Sequence, residues 1–170
     1  MRLRGLGLSW RRRAWARLQR LWRRYVTRRA GHDLATVVVL RPDFFGTPFT
    51  TYALAALHGP SRWSGSEREL MAAVVARTAE CPFCAVEHEV QARRGMERSL
   101  VDAVMEGCPH PGLDPRLRAA LEFAVRLTRS PGELTVADVD ELAEAGLTEA
   151  DLEDVVHVTA AMTHAPRRGD

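Results

Sequence analysis

The chain of 170 residues has three cysteines, too few for a disulfide scaffold, and no apolar run near the ~18 residues that would span a bilayer. No apolar stretch with a cleavage site follows its basic start, so a cytoplasmic location is expected, where a cysteine pair serves chemistry more often than architecture. Only Thr36 to Leu40 reads convincingly as β, too little for a sheet, which excludes the alternating strands and helices of a thioredoxin domain. No repeat or low-complexity segment interrupts the pattern. What remains is the length of one domain with 46% apolar residues, enough for a real core, in segments of helical periodicity. The fold class expected is all-α.

The near-neutral net charge of +2 joins two unlike parts. Residues 1–30 hold 11 arginines and no acid, whereas residues 31–170 hold 13 arginines against 22 acids. We therefore divide the chain into an arm, 1–30, and a helical domain, 31–170. In the arm Trp10, Ala14, Trp15, Leu18, Leu21, Trp22 and Tyr25 recur at helical spacing, so a helix from about Ser9 to Arg29 would carry an apolar stripe opposite arginines, with Arg11 blurring its edge. Such a helix can pack on the acidic domain or on a neighbouring subunit, or lie peripherally on an anionic membrane. No nucleic-acid motif supports the remaining use of arginine runs, binding phosphates.

The domain is punctuated by helix signals. Pro42 to His58 reads as one or two short helices ended by Gly59-Pro60. In the segment Ser66 to Glu80, Leu70, Ala73, Val74, Val75 and Ala76 mark a buried face, and Ser66 with Glu69 matches a capping box. Met96 to Glu106 forms a short element before the loop CPHPG. Asp114-Pro115 opens a strong helix through Thr128, with Leu117, Leu121, Ala124 and Leu127 inward. Thr135 caps the next, which stops at Gly146, and Thr148 caps the last. His157, in that apolar last helix, reads as a core or interface histidine, and Cys108 as a loop cysteine without a partner.

The chemistry gathers in Cys81-Pro82-Phe83-Cys84, followed by His88. Pro82 suits a first helical position and Gly95 the end of the helix, so Cys81 falls at the N-cap and Cys84 in the first turn, near free amides. Helix dipoles are worth ~0.3 to 1 kcal/mol at a terminus, which helps a thiolate without sufficing. His88 lies four residues after Cys84, on the same helix face, and can act as base or relay. Glu80, Glu87 and Glu89 oppose a thiolate unless they face solvent. Glu69 has two compatible roles, closing the capping box and turning inward to orient His88.

The run SERELMAAVVARTAECPFCAVEHEVQARRG, Ser66 to Gly95, resembles the core motif of the AhpD-like alkylhydroperoxidases in the carboxymuconolactone decarboxylase superfamily: a Glu, then CxxC, then His four residues after the second Cys. The resemblance extends from about Arg41 to about Ala161 in the order of the closing helices. It implies an AhpD-like fold, a homotrimer or a multiple of one, and reduction of a hydroperoxide. In that reading Cys84 becomes a sulfenic acid, Cys81 resolves it as a disulfide, and Glu69 and His88 relay protons. No cofactor or metal is implied, only an external dithiol or thioredoxin-like reductant. The best-known members carry a second histidine just before the second cysteine, where this chain, like many other relatives with an aromatic there, has Phe83. The closing MTHAPRRGD also departs from the relatives' longer helix end, a region that contributes to assembly.

Other readings of the cysteine pair stay open. Zinc would need Cys108 or His110 as a fourth ligand, and a buried structural pair needs no chemistry at all. Haem attachment fails because Ala85, not His, follows Cys84. A non-enzymatic redox sensor or interaction protein could use the same cysteines. The lactone decarboxylase branch does not call for them.

Overall fold

The computed structural model describes residues 47–163. The arm, the run Thr36 to Leu40, the first residues of the segment from Pro42, and the last seven residues of the closing stretch lie outside the described residues.

Among the described residues seven α-helices follow one another: α1 Thr47–His58, α2 Gly65–Thr78, α3 Pro82–Ala92, α4 Arg98–Glu106, α5 Pro115–Arg129, α6 Val136–Glu144 and α7 Glu149–Thr163. A single 3-10 turn, Pro131–Glu133, separates α5 from α6, and no strand occurs among the described residues. The all-α expectation holds.

Helix α2 is the axis of the bundle. It packs on α3, α5 and α7 and touches α1 and α4. Its residues Arg68 to Ala76 are all buried, so the expected face of Leu70, Ala73, Val74, Val75 and Ala76 is part of a helix enclosed all round. Three alanines, Ala72, Ala73 and Ala76, keep that helix thin enough for neighbours on every side. Trp63, Leu70, Met71, Val75, Val101, Val155 and Val158 form the centre of the core. Each such side chain contributes about 1.5 to 3 kcal/mol on removal from water.

Capping follows the sequence with one shift. The N-cap of α2 is Ser64, not Ser66: Ser64 Oγ accepts from Glu67 N–H at 3.2 Å, and Glu67 Oε2 accepts from Ser64 N–H at 2.7 Å. The capping box therefore sits two residues earlier than the Ser66 and Glu69 pattern, because Trp63 must reach the core and draws the chain turn back with it. Glu69 is released from capping. Asp114 caps α5, accepting from the N–H groups of Arg116 and Leu117 ahead of Pro115, and Thr135 caps α6 in a box with Asp138. Gly146, at φ 87°, takes the left-handed conformation that ends α6. Leu117, Leu121 and Ala124 are buried, while Leu127 is half-buried at the edge of the core. The segment from Met96 becomes helical only at Arg98.

The start of α7 anchors the loop between α1 and α2. Asp151 Oδ2 accepts from Thr148 N–H (2.9 Å), Thr148 Oγ1 (2.8 Å) and Arg62 Nη1 (2.9 Å), and Trp63 Nε1 donates to the Asp151 carbonyl at 3.1 Å. Burial pushes the Asp151 carboxyl up, and the Thr148 hydrogen bonds with the Arg62 and Arg116 charges more than offset it, leaving its pKa below the ordinary 3.8. Arg116 also lies 4.2 Å over the Trp63 ring. His157 is not in the core: it is exposed, and its Nδ1 meets the Tyr52 hydroxyl at 3.0 Å.

Candidate active site

The link between α2 and α3 fixes the cysteines. Helix α2 ends in a Schellman turn, with Cys81 N–H donating to Ala76 O at 2.9 Å and Glu80 N–H to Arg77 O at 3.1 Å. The left-handed residue of that turn is Glu80, at φ 61°, where glycine is usual. Cys81, the next residue, is also the N-cap of α3, and its sulfur accepts from Cys84 N–H at 3.4 Å. One residue thus closes one helix and opens another. Pro82 at the first helical position gives α3 its start, as expected. Gly95 does not cap α3, which ends at Ala92; a Cβ at Gly95 would stand 2.3 Å from Ser66 Oγ and 3.2 Å from Ser66 Cβ, so glycine favours the close approach of this turn to α2.

Cys81 and Cys84 are joined by a disulfide, with Cα atoms 5.4 Å apart. Cys84 is buried against Ala76 of α2, with Met105 of α4 alongside, and Cys81 is half-exposed. His88 is buried one turn along α3 from Cys84. Its Nδ1 lies 2.7 Å from Oε2 of Glu69, which is also buried. An ionised carboxylate only accepts, so the imidazole donates to it from Nδ1, and in the neutral ring Nε2 then carries the lone pair. Buried Nε2 has no hydrogen-bond partner among the described residues. Glu69 therefore turns inward to His88 and does not close the capping box.

The carboxylates feared near the sulfurs are mostly accounted for. Glu89 pairs with Arg93, which also binds Asp102, and Glu80 is exposed. Reading the sequence missed His58, the last residue of α1, whose Nε2 is 3.6 Å from the other Glu69 oxygen. Its only signal was a histidine just before the Gly59-Pro60 stop. Cys108 is exposed and free, and His110 turns to Gly112 and Ser99. No three His, Cys, Asp or Glu side chains among the described residues are grouped as metal ligands would be. A cleft of about 630 Å³, lined by Val74, Arg77, Cys108, Arg118 and Leu121 among others, includes none of Glu69, Cys81, Cys84 or His88.

The described helices form an all-α fold of the AhpD-like kind, as two solved structures show. The chain is similar to the crystal structure of an uncharacterized peroxidase-related protein from Silicibacter sp. TM1040, with a TM-score of 0.69 at 23% identity, over 85% of this chain and 77% of that one. It is also similar to an uncharacterized peroxidase-related protein from Ralstonia eutropha JMP134, described as an alkylhydroperoxidase AhpD core, with a TM-score of 0.65 at 28% identity, over 75% of this chain and 67% of that one. No family model and no curated protein matches the chain. Among the described residues, no helix is long and apolar enough to cross a membrane.

Proposed function

We propose that the protein is a thiol-dependent peroxidase that reduces a hydroperoxide through Cys84 and Cys81. The observation that carries this reading is the buried Glu69–His88 pair, 2.7 Å apart, with His88 Nε2 unpartnered one helical turn from Cys84. His88 takes the Cys84 thiol proton. The thiolate attacks the terminal oxygen of the hydroperoxide, the O–O bond breaks, and the leaving alkoxide recovers the proton from His88, giving an alcohol and a Cys84 sulfenic acid. The Cys81 thiol then attacks the Cys84 sulfur, a disulfide forms and water leaves. An external dithiol or thioredoxin-like protein reduces the pair by exchange and is itself oxidised.

The half-exposed Cys81 is the sulfur an external reductant reaches first, while Cys84 is buried. Phe83, Val86 and Val90 are exposed apolar side chains on the outer part of α3, which suits an organic hydroperoxide or a protein reductant. A homotrimer or a multiple of it belongs to the same proposal. The neighbours named peroxidase-related support the peroxidase-like part of the reading.

The test is consumption of cumene hydroperoxide by reduced protein with dithiothreitol, wild type beside Cys84→Ser, with the oxidised product weighed intact. Sustained turnover abolished in Cys84→Ser, with a product two hydrogens lighter, supports a peroxidase. A single oxidation without turnover makes the protein a redox sensor instead, and turnover retained in Cys84→Ser removes the cysteine pair from the chemistry.

A further inference from the structure

Glu69 has two oxygens, and His88 uses one. The other, Oε1, lies 3.6 Å from His58 Nε2, the length of an ion pair and somewhat beyond a hydrogen bond. The three side chains form a graded series: His88 and Glu69 are about nine-tenths buried, whereas His58 is 52% exposed. We propose that His58 is the solvent-side member of the relay, a positioning residue that couples the buried Glu69–His88 pair to water. This rests on the peroxidase reading of the site.

The placement of His58 is built. Arg68, next to Glu69 on α2 and itself buried, donates from Nη1 to Ala56 O at 3.1 Å and from Nη2 to Gly59 O at 2.9 Å, so it grips the chain on both sides of His58. Gly59 turns so tightly that a Cβ there would stand 2.4 Å from Ala55 O. The end of α1 is thus held on the residue beside Glu69, with the half-exposed imidazole standing beyond it. Rotating an exposed ring by a few tenths of an ångström brings Nε2 into hydrogen-bonding range of Oε1.

The charged neighbours of His58 are few. Its own helix, TPFTTYALAALH, holds no other charged residue. Helix α2 presents Arg68 and Glu69. On α7, Asp154 is taken by Ser61 and His157 by Tyr52. Glu69 is therefore the group with which His58 exchanges protons. When Cys84 ionises, its S–H bond breaks and an N–H bond forms at His88 Nε2. The Nδ1 proton passes to Glu69 Oε2, the carboxyl group turns to present that proton to His58 Nε2, and His58 exchanges it with water; the same steps in reverse return a proton to His88 when the leaving alkoxide takes one from it. No electrons are exchanged among these groups. The direction reverses when a thiolate released by the external dithiol needs a proton.

The test uses reduced full-length protein and hydrogen peroxide in a single turnover, following disulfide formation by intact mass across pH. His58→Gln and His58→Ala are expected to slow it by about 10-fold, less than the roughly 100-fold of a group at the reacting atoms, because water can partly substitute. Added imidazole should restore most of the rate to His58→Ala, with no change in thermal midpoint. Rates equal to wild type at every pH overturn the proposal, and so does a slowed rate indifferent to imidazole, the mark of a purely structural role. If the wild type forms no disulfide with peroxide, the peroxidase reading fails on its own. Alkylation of reduced Cys84 by iodoacetamide, read by peptide mass, then decides the relay: slowing in the His58 variants with recovery in imidazole supports it, and equal rates overturn it.

Discussion

Helices α2 and α3 are consecutive in the chain, yet they are opposites. Helix α2 buries nine residues in succession, Arg68 to Ala76, whereas α3 buries Cys84, Ala85, His88 and Ala92, a single stripe, and leaves Phe83, Val86 and Val90 exposed. The carboxylate of the site comes from the enclosed helix and the thiols and imidazole from the half-open one. A charged group that must stay aimed at a histidine belongs where packing fixes its rotamer. Sulfurs that must meet a peroxide and then a reductant belong on a helix with an open face.

The comparison can be broken first by truncating an apolar side chain in each helix. Leu70→Ala should lower the unfolding free energy by about 2 to 5 kcal/mol, whereas Val86→Ala on α3 should change it by less than about 0.5 kcal/mol, both read by urea unfolding. Comparable losses would mean that α3 is covered in solution by another copy or partner.

A smaller effect is expected at the pin that holds the loop before α2. Asp151→Asn should cost about 1 kcal/mol at neutral pH, since it weakens a cap and the contact with Arg62. The wild-type carboxyl has its pKa below 3.8 in the fold. Its stabilisation is therefore present above 3.8 and is lost as pH falls through the lower folded value. Unfolding curves for the two proteins should converge as pH drops below that range. A gap that widens on acidification would reverse the sign.

The smallest effect concerns the turn between the two helices. Glu80 holds a left-handed conformation in which a Cβ is unfavourable. Glu80→Gly should raise stability by about 0.5 to 1 kcal/mol, read as a higher thermal midpoint. A loss would show that the Glu80 side chain holds the turn by contacts of its own.

Much of this was legible from the chain. Pro82, Asp114-Pro115, Thr135, Gly146 and Thr148 mark helix ends by backbone chemistry that acts within a few residues, and the structure follows each. Cys81 at the N-cap and His88 one turn from Cys84 are likewise matters of local spacing. Local rules misplaced the cap of α2, because Ser64 and Ser66 both precede a glutamate by three residues and only the burial of Trp63 chooses between them. That choice decides whether Glu69 caps a helix or faces His88, so the most important side chain of the site depended on a tertiary contact. His58 was invisible for the same reason: eleven positions separate it from Glu69, and the clamp by Arg68 that joins them is a property of the folded bundle. His157, read as a core or interface histidine, lies outside the core, because apolar neighbours in sequence do not say which way a helix turns.

The account rests on Glu69 acting through His88 on Cys84, and the most direct measurement is the single-turnover rate of disulfide formation in reduced protein with hydrogen peroxide, wild type beside Glu69→Gln. The amide keeps the shape of the carboxylate but does not hold the Nδ1 proton of His88 in the same way. We predict a fall of about 100-fold with an unchanged thermal midpoint. A Glu69→Gln protein that closes its disulfide as fast as wild type would contradict the account.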